Sequence, residues 1–377
     1  MKQSCLSSTP NTKYAGTNKL SNPNYYQQKL NSLAIVVEDL RLPLDEGAKK
    51  TSFSLISSIG EQGIQVSVFT SYGNPWLKNA FQLPGNKFLL GNSFRKQLSA
   101  QRPDFILYIP SSSGTLGAFI RAAMIKFQYH QAPIAMLSLQ FRTLPKLARY
   151  FRVSQAVEVV LTQSEASQGI FDDLGCKTAL LPSAVDQDIF KPVNKQVKQE
   201  LRNQYNFQLA DKIVLHVGHC HPGRNVNMLM ELVKIGFRVI FIASTSTAID
   251  QDLILELKRS GILVITDYVS NIEQYYQLAD CYVFPVLNIS AAIDAPLSVL
   301  EAMACNIPVV TTRFGALKNM FQTGNGFYFA ANEDEIMRMV NQAVKLQNCQ
   351  TADMVACYSW HNAAMNLLET LHTITKP

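Results

Sequence analysis

Short apolar runs rich in Val, Ile, Leu and Phe recur along this chain, separated by stretches of helical periodicity. Runs that are apolar at every position suit strands of a parallel sheet covered by helices on both faces. The first half offers Leu33–Val37, Val66–Thr70, Phe105–Ile109, Ile134–Leu139, Val157–Thr162 and Ala179–Pro182. The second offers Ile213–Val217, Val239–Ala243, Leu263–Thr266, Cys281–Pro285, Val309–Thr312 and Gly326–Phe329. Helical patterns such as Thr51–Gln62, Thr115–Tyr129, Val226–Ile235, Gln251–Ser260 and Glu333–Leu346 lie between them. This alternation predicts an α/β chain with parallel sheets. Two sets of about six strands in 377 residues predict two doubly wound, Rossmann-like domains. The expected boundaries are a flexible leader at 1–30, a first domain at 31–190, a polar linker at 191–211, a second domain at 212–356 and a final segment at 357–377. In that segment Trp360, Ala363, Ala364, Leu367, Leu368 and Leu371 form one stripe. The second sheet is complete before it, so the stripe must pack on another surface.

Composition narrows the chemistry. At 47% hydrophobic and 16% charged, the chain is too apolar for disorder and too lightly charged for a coiled coil. Its apolar runs are strand-sized, far short of the roughly 18–20 residues that span a bilayer. Residues 1–30 lack the apolar centre of a signal peptide. Seven scattered cysteines without C-x-x-C spacing read as buried thiols in a reducing cytoplasm. His219, Cys220 and His221 are adjacent, but neighbouring side chains diverge, so no metal site is expected there. The net charge of +6 is uneven: 19 Lys and Arg against 12 Asp and Glu up to residue 190, then 15 against 16. Within Phe141–Val153, Arg142, Lys146, Arg149 and Arg152 interleave with aromatic and aliphatic residues. That pattern suits a helix lying on an anionic membrane, and equally a core-facing helix with a solvated basic back. No recognition helix, RNP-like run or zinc finger accompanies the basicity, so no nucleic-acid partner is expected.

Three segments carry chemistry. The sharpest is Ala295–Gly315, which reads as loop, helix, turn, buried strand and Gly. Pro296 suits the first helical position, and the amides that follow, at Leu297 and Ser298, would meet an anion such as a diphosphate. Glu301, more than one turn on, could accept hydrogen bonds from two vicinal ribose hydroxyls. The second segment, His216–Asn225, joins a strand to a helix. Gly218 lets the backbone approach a phosphate, while His219 and Arg224 add donors. Arg224-Asn225 stands where a P-loop has Lys-Ser/Thr, which argues against an NTPase. The third, Glu38–Lys50, follows the first strand. Gly47, Lys49 and Lys50 give it either the mouth of an anion site or a solvated surface.

Taken in order, these segments resemble the GT-B glycosyltransferases of family 4, glycosyl transferase group 1. The resemblance spans about residues 33–373. Its strongest part is Ala295–Gly315, similar to the family's "LEAMACGxPVV" stretch, with Asn306 where Gly is usual. Gly218–Asn225 resembles the Gly-Arg-x4-Lys-Gly phosphate loop. Gln163-Ser-Glu with Ala184–Pro192 resembles the end of the first domain, and Tyr358-Ser-Trp-His361 the start of a terminal helix that crosses back to that domain.

The resemblance implies two domains facing across a cleft and a retaining, metal-independent transfer. A sugar would pass from a nucleotide-diphosphate donor, a UDP- or GDP-sugar, to an acceptor hydroxyl, with no cofactor. The acceptor would be a glycan, a lipid-linked molecule or a small molecule, and the setting the cytoplasm, peripheral to the inner face of a membrane. By position, Glu301 would hold the donor ribose, Val269 would lie near the base, and Gly47 would let the first domain approach the donor phosphates. His219 and Arg224 would face the diphosphate as catalytic groups. The sequence also departs from the family. The first Glu of E-x7-E is Ile293, with Asp294 beside it as a catalytic substitute, and the usual first-domain His is missing around Ser111–Gly114. These departures motivate the alternative of a degenerate GT-B protein that binds nucleotide or a partner without turnover.

Overall fold

The computed structural model describes residues 30–72, 77, 80–111, 113–144, 153–246 and 250–375. The described chain forms two compact units. The first runs to Ser183 and also takes Ile293–Ala295 and the chain from Trp360 onward. The second comprises Ala184–Ala292 and Pro296–Ser359.

The first unit holds a seven-stranded parallel sheet in the order β3-β2-β1-β4-β5-β6-β7. Its strands are β1 (Ser32–Val37), β2 (Gln65–Thr70), β3 (Ala80–Gln82), β4 (Phe105–Ile109), β5 (Ile134–Ser138), β6 (Val159–Thr162) and β7 (Thr178–Leu180). β4 and β5 are buried at every residue, as their unbroken apolar sequence requires. Phe69, Phe94, Tyr108, Phe119 and Phe171 anchor the core. The helix Trp360–Thr375 packs against the helix Gly47–Glu61, and its Ala364, Leu367 and Leu371 are wholly buried. The apolar stripe read from the sequence therefore finds its surface within the first unit.

The second unit holds a six-stranded parallel sheet in the order β10-β9-β8-β11-β12-β13. Its strands are β8 (Ile213–Gly218), β9 (Arg238–Ala243), β10 (Leu263–Ile265), β11 (Cys281–Phe284), β12 (Val309–Thr311) and β13 (Phe327–Phe329). Phe241, Leu257, Val283 and Ile336 belong to its core. Cys176 in the first unit and Cys220, Cys281 and Cys305 in the second are buried free thiols.

Three features differ from the expectation. The edge strand β3 was not predicted, because three residues, two of them exposed, carry no periodic signal. The second unit begins at Ala184, and the expected linker 191–211 folds within it. Asn194 caps a helix at Lys195–Gln204, and Arg202, 5% exposed, sends Nη2 to Asp280 Oδ2 at 2.6 Å and Nε to the Leu278 carbonyl at 3.1 Å. The expected leader, and residues 145–152 of the basic stretch, lie outside the described residues. Among the described residues no helix is long and apolar enough to cross a membrane.

Candidate functional site

In an open parallel sheet, the order of strands reverses at one point, and the loops leaving the two strands there part to opposite faces. That point lies between β1 and β4 in the first unit and between β8 and β11 in the second. All the expected site residues except Val269, which follows β10, come at or after the C-terminal ends of these strands in the chain.

In the second unit, β8 ends at Gly218, and the chain turns through His219 and Cys220 into a short 3-10 helix at Pro222–Arg224. His221 caps that helix, its Nδ1 accepting the Gly223 amide at 3.0 Å. Asn225 closes it at φ +54°, a left-handed conformation that Asn tolerates better than most residues. This turn brings Arg224 back over Gly218. A Cβ at Gly218 would lie 3.2 Å from Arg224 Nη1, so glycine gives the guanidinium its room. Arg224 is only 8% exposed, and His219 is half-buried in the turn.

The helix Leu297–Ala304 begins beside this loop, with Pro296 at its N-cap, one place earlier than expected. The Tyr282 hydroxyl on β11 sets the spacing. It lies 2.7 Å from Ser298 Oγ in the helix's first turn and 3.3 Å from the Val217 carbonyl at the end of β8. Gly218, Arg224, Pro296, Leu297 and Ser298 are thereby brought to one neighbourhood: an arginine, a glycine-bearing loop and the positive end of a helix. Such a group suits an anion.

One turn along that helix, Glu301 is 4% exposed and accepts the Tyr276 hydroxyl at 2.8 Å on Oε2. Burial, followed by the neighbouring Glu301, pushes the Tyr276 hydroxyl far above its ordinary pKa, so it stays a donor. Val269 lies half-buried in the loop after β10. A groove of about 630 Å³ opens at the opposite end of this sheet's strands, past Lys198, Asp280, Asn306 and Cys349. None of the expected donor-binding residues lines it, and Lys198 and Asp280 already pair at 2.9 Å.

In the first unit, Gly47 opens its helix, but a Cβ there would meet Ile293 Cδ1 at 2.9 Å. The side chain that replaces the family's first Glu therefore packs onto the glycine expected to approach the phosphates. Lys49 lies 4.0 Å from Asp39 and lines a pocket of about 60 Å³ with Glu38, Ser52 and Ser111. Glu38 Oε1 accepts Tyr108 at 2.7 Å and Arg121 at 2.9 Å, and Oε2 accepts Ser111 at 2.5 Å.

Asp294, expected as a catalytic substitute, has a carboxylate already engaged by donors of the first unit. It is 1% exposed, and its carboxylate accepts the Phe141 amide at 2.7 Å and the hydroxyls of Ser164 and Ser167. Its own amide donates to Leu139, and Gln163 accepts the next amide, that of Ala295. Burial pushes its pKa up while these donors pull it back. The carboxylate fastens residues 293–295 into the first unit and covers the start of the helix Glu165–Asp172.

The residues that sequence reasoning passed over are His216, Tyr276 and Tyr282. All are buried polar side chains in otherwise apolar surroundings, and the interruption of Ile-Val-Leu-His-Val by His216 was the available signal. Among the described residues no group of three or more His, Cys, Asp or Glu is placed to hold a metal ion.

Residues 211–348 match the family model described as glycosyl transferases group 1. No curated protein sequence is a significant match to the chain. Among solved structures, a glycosyltransferase from Rickettsia africae aligns at TM-score 0.73 and 13% identity, over 92% of this chain and 99% of that one. Sucrose-phosphate synthase from Thermosynechococcus elongatus aligns at 0.72 and 13%, over 91% and 99%. HepE from Anabaena, solved with UDP and glucose, aligns at 0.65 and 17%, over 91% and 99%. The loop after β8 and the helix Leu297–Ala304 lie inside the stretch that resembles the group 1 glycosyltransferase model, and the likeness to these solved structures shows that the chain has the GT-B fold.

Proposed function

We propose that the protein is a retaining, metal-independent glycosyltransferase that uses a UDP- or GDP-sugar, with the diphosphate held by the second unit. The observation that carries this reading is the meeting of Arg224, Gly218 and the start of the Leu297–Ala304 helix. Negative charge grows on the departing diphosphate as the sugar's anomeric C–O bond breaks. A buried guanidinium and helix-start amides stabilise that charge most where water is scarce. The acceptor oxygen forms the new bond on the same face, and its proton passes to the departing phosphate oxygen. No protein base is required, consistent with the absence of a first-domain His near Ser111. Arg224 supplies charge that a metal would otherwise supply. His219 lies in the same loop as a further donor, and Glu301, steadied by Tyr276, is the residue for the ribose. Asp294 is left out of the chemistry because its carboxylate is already engaged.

HepE, solved with UDP and glucose, supports a uridine donor, and starch synthase IV, solved with ADP and acarbose, keeps the choice of base open. The acceptor, a glycan, lipid-linked or small molecule, falls to the first unit, which carries the basic surplus. That surplus supports peripheral attachment to an anionic cytoplasmic membrane face. A second reading, nucleotide binding without turnover, draws on Ile293, which packs onto Gly47 where the family has a carboxylate. Kinetics of Arg224→Ala separate the two. Transfer should fall about 10²-fold or more. Unchanged turnover would remove Arg224 from the mechanism, and no turnover by the wild type with any nucleotide sugar would favour the second reading.

A further inference from the structure

His216 interrupts the apolar strand β8 and is fully buried. A polar side chain inside a parallel sheet needs partners. Nδ1 has one: it lies 2.8 Å from the Val283 carbonyl on β11. A carbonyl only accepts, so Nδ1 carries the hydrogen, and in the neutral ring Nε2 is a bare acceptor. Burial is the main cause that holds the ring neutral, pushing its pKa down to about 4, and the Arg224 charge pushes the same way. Phe241 at 5.3 Å, Tyr282 at 6.3 Å and Phe284 at 6.4 Å between ring centroids fix the plane of the imidazole. Nε2 itself is buried and accepts no hydrogen bond. Gly218 shows where it points. A Cβ at that position would lie 3.4 Å from His216 Nε2 and 3.2 Å from Arg224 Nη1, so the two nitrogens converge on one space.

We propose that His216 is a positioning residue for Arg224: with diphosphate bound, its Nε2 lone pair receives one N–H of the guanidinium and aims the others at the phosphates. The inference rests on reading Arg224 as the diphosphate-binding group. The chemistry selects this pairing. A bare lone pair repels phosphate oxygens, so Nε2 does not serve the anion directly. Arginine has five N–H donors and no acceptor, so it can satisfy Nε2 and still present a fork.

The test is calorimetric titration of the full chain with UDP, GDP and ADP. The variants are His216→Phe, His216→Gln, Arg224→Ala and the double variant His216→Phe with Arg224→Ala. Phe keeps the ring and its stacking but lacks the lone pair, and Gln restores an acceptor. The tightest-binding diphosphate should lose about tenfold in affinity in His216→Phe and recover in His216→Gln. Adding His216→Phe to Arg224→Ala should cost nothing further, because the two residues act as one unit. The matching nucleoside, without phosphates, should bind His216→Phe as it binds the wild type, whereas a general disturbance of the domain would weaken both. If the Phe variant fails to fold, His216→Leu also lacks the lone pair and carries the same cycle. Wild-type affinity in His216→Phe, or an equal loss with and without Arg224, overturns the proposal while leaving Arg224 in place. Wild-type affinity in Arg224→Ala, or no binding of any diphosphate, overturns the Arg224 reading and this proposal together.

Discussion

His216 links the site to stability. Its ring stays neutral down to about pH 4 in the folded chain, whereas an unfolded chain protonates it near 6.5. A depressed folded pKa contributes stability that is whole above pH 6.5 and is lost as pH falls toward 4. The loss reaches at most about 3 kcal/mol over that window. Urea unfolding between pH 7 and 4.5 should therefore show a shallower acid decline for His216→Phe than for the wild type, and parallel declines would contradict it. Tyr276 and Glu301 make a second buried pair. Tyr276→Phe should cost about 1–3 kcal/mol in the same assay. Asn306 explains one departure from the family pattern. It sits at φ +56° after the helix Leu297–Ala304, where Gly is the common choice, and its side chain bonds Cys349 O at 3.0 Å and Ala352 N at 3.2 Å. Asn306→Ala should be less stable than Asn306→Gly by about 1 kcal/mol: both variants lose the two side-chain bonds, but only Ala meets the penalty of the left-handed backbone. At this scale the place of Arg224 in a strand-to-helix loop was legible. The partners of Asp294 were not legible, because nothing local signals that Ser164 and Ser167, some 130 positions earlier, would claim its carboxylate.

Elements were more legible than side-chain partners. A strand buried on both faces writes an unbroken apolar run, so all twelve expected runs fall at strands with small shifts at their ends. The helix Lys195–Gln204 was hidden because it shows the sheet mainly Leu201 and the buried Arg202, and a buried arginine reads as solvated until its partner Asp280 is seen. The start of the helix Gly47–Glu61 gives an element-scale test. Gly47→Ala drives a methyl against the far end of the Ile293 side chain, Cδ1, and should cost no more than about 1 kcal/mol. Ile293→Ala should relieve most of that cost in the double variant, and simple additivity of the two single changes would contradict the packing described.

For the whole molecule, the charge split acquires a location. The second unit has no basic surplus, so in the proposed function, where a few of its groups hold the diphosphate, the surplus of the first half would concern the acceptor or the surface presenting it. Sedimentation with anionic liposomes should succeed at low salt and fail above about 0.5 M, where the screening length drops to a few ångströms. Equal binding to neutral liposomes would contradict an electrostatic attachment. The central claim, sugar transfer from a nucleotide donor with retention, is tested most directly by proton NMR. The pure protein would be incubated with UDP-glucose, GDP-mannose and ADP-glucose, and the released sugar followed from its first appearance. The account predicts slow release of a nucleoside diphosphate from at least one donor, with the sugar first appearing in the donor's own anomeric form and the release lost in Arg224→Ala. First appearance of the opposite anomer, or release unchanged in Arg224→Ala, would contradict it.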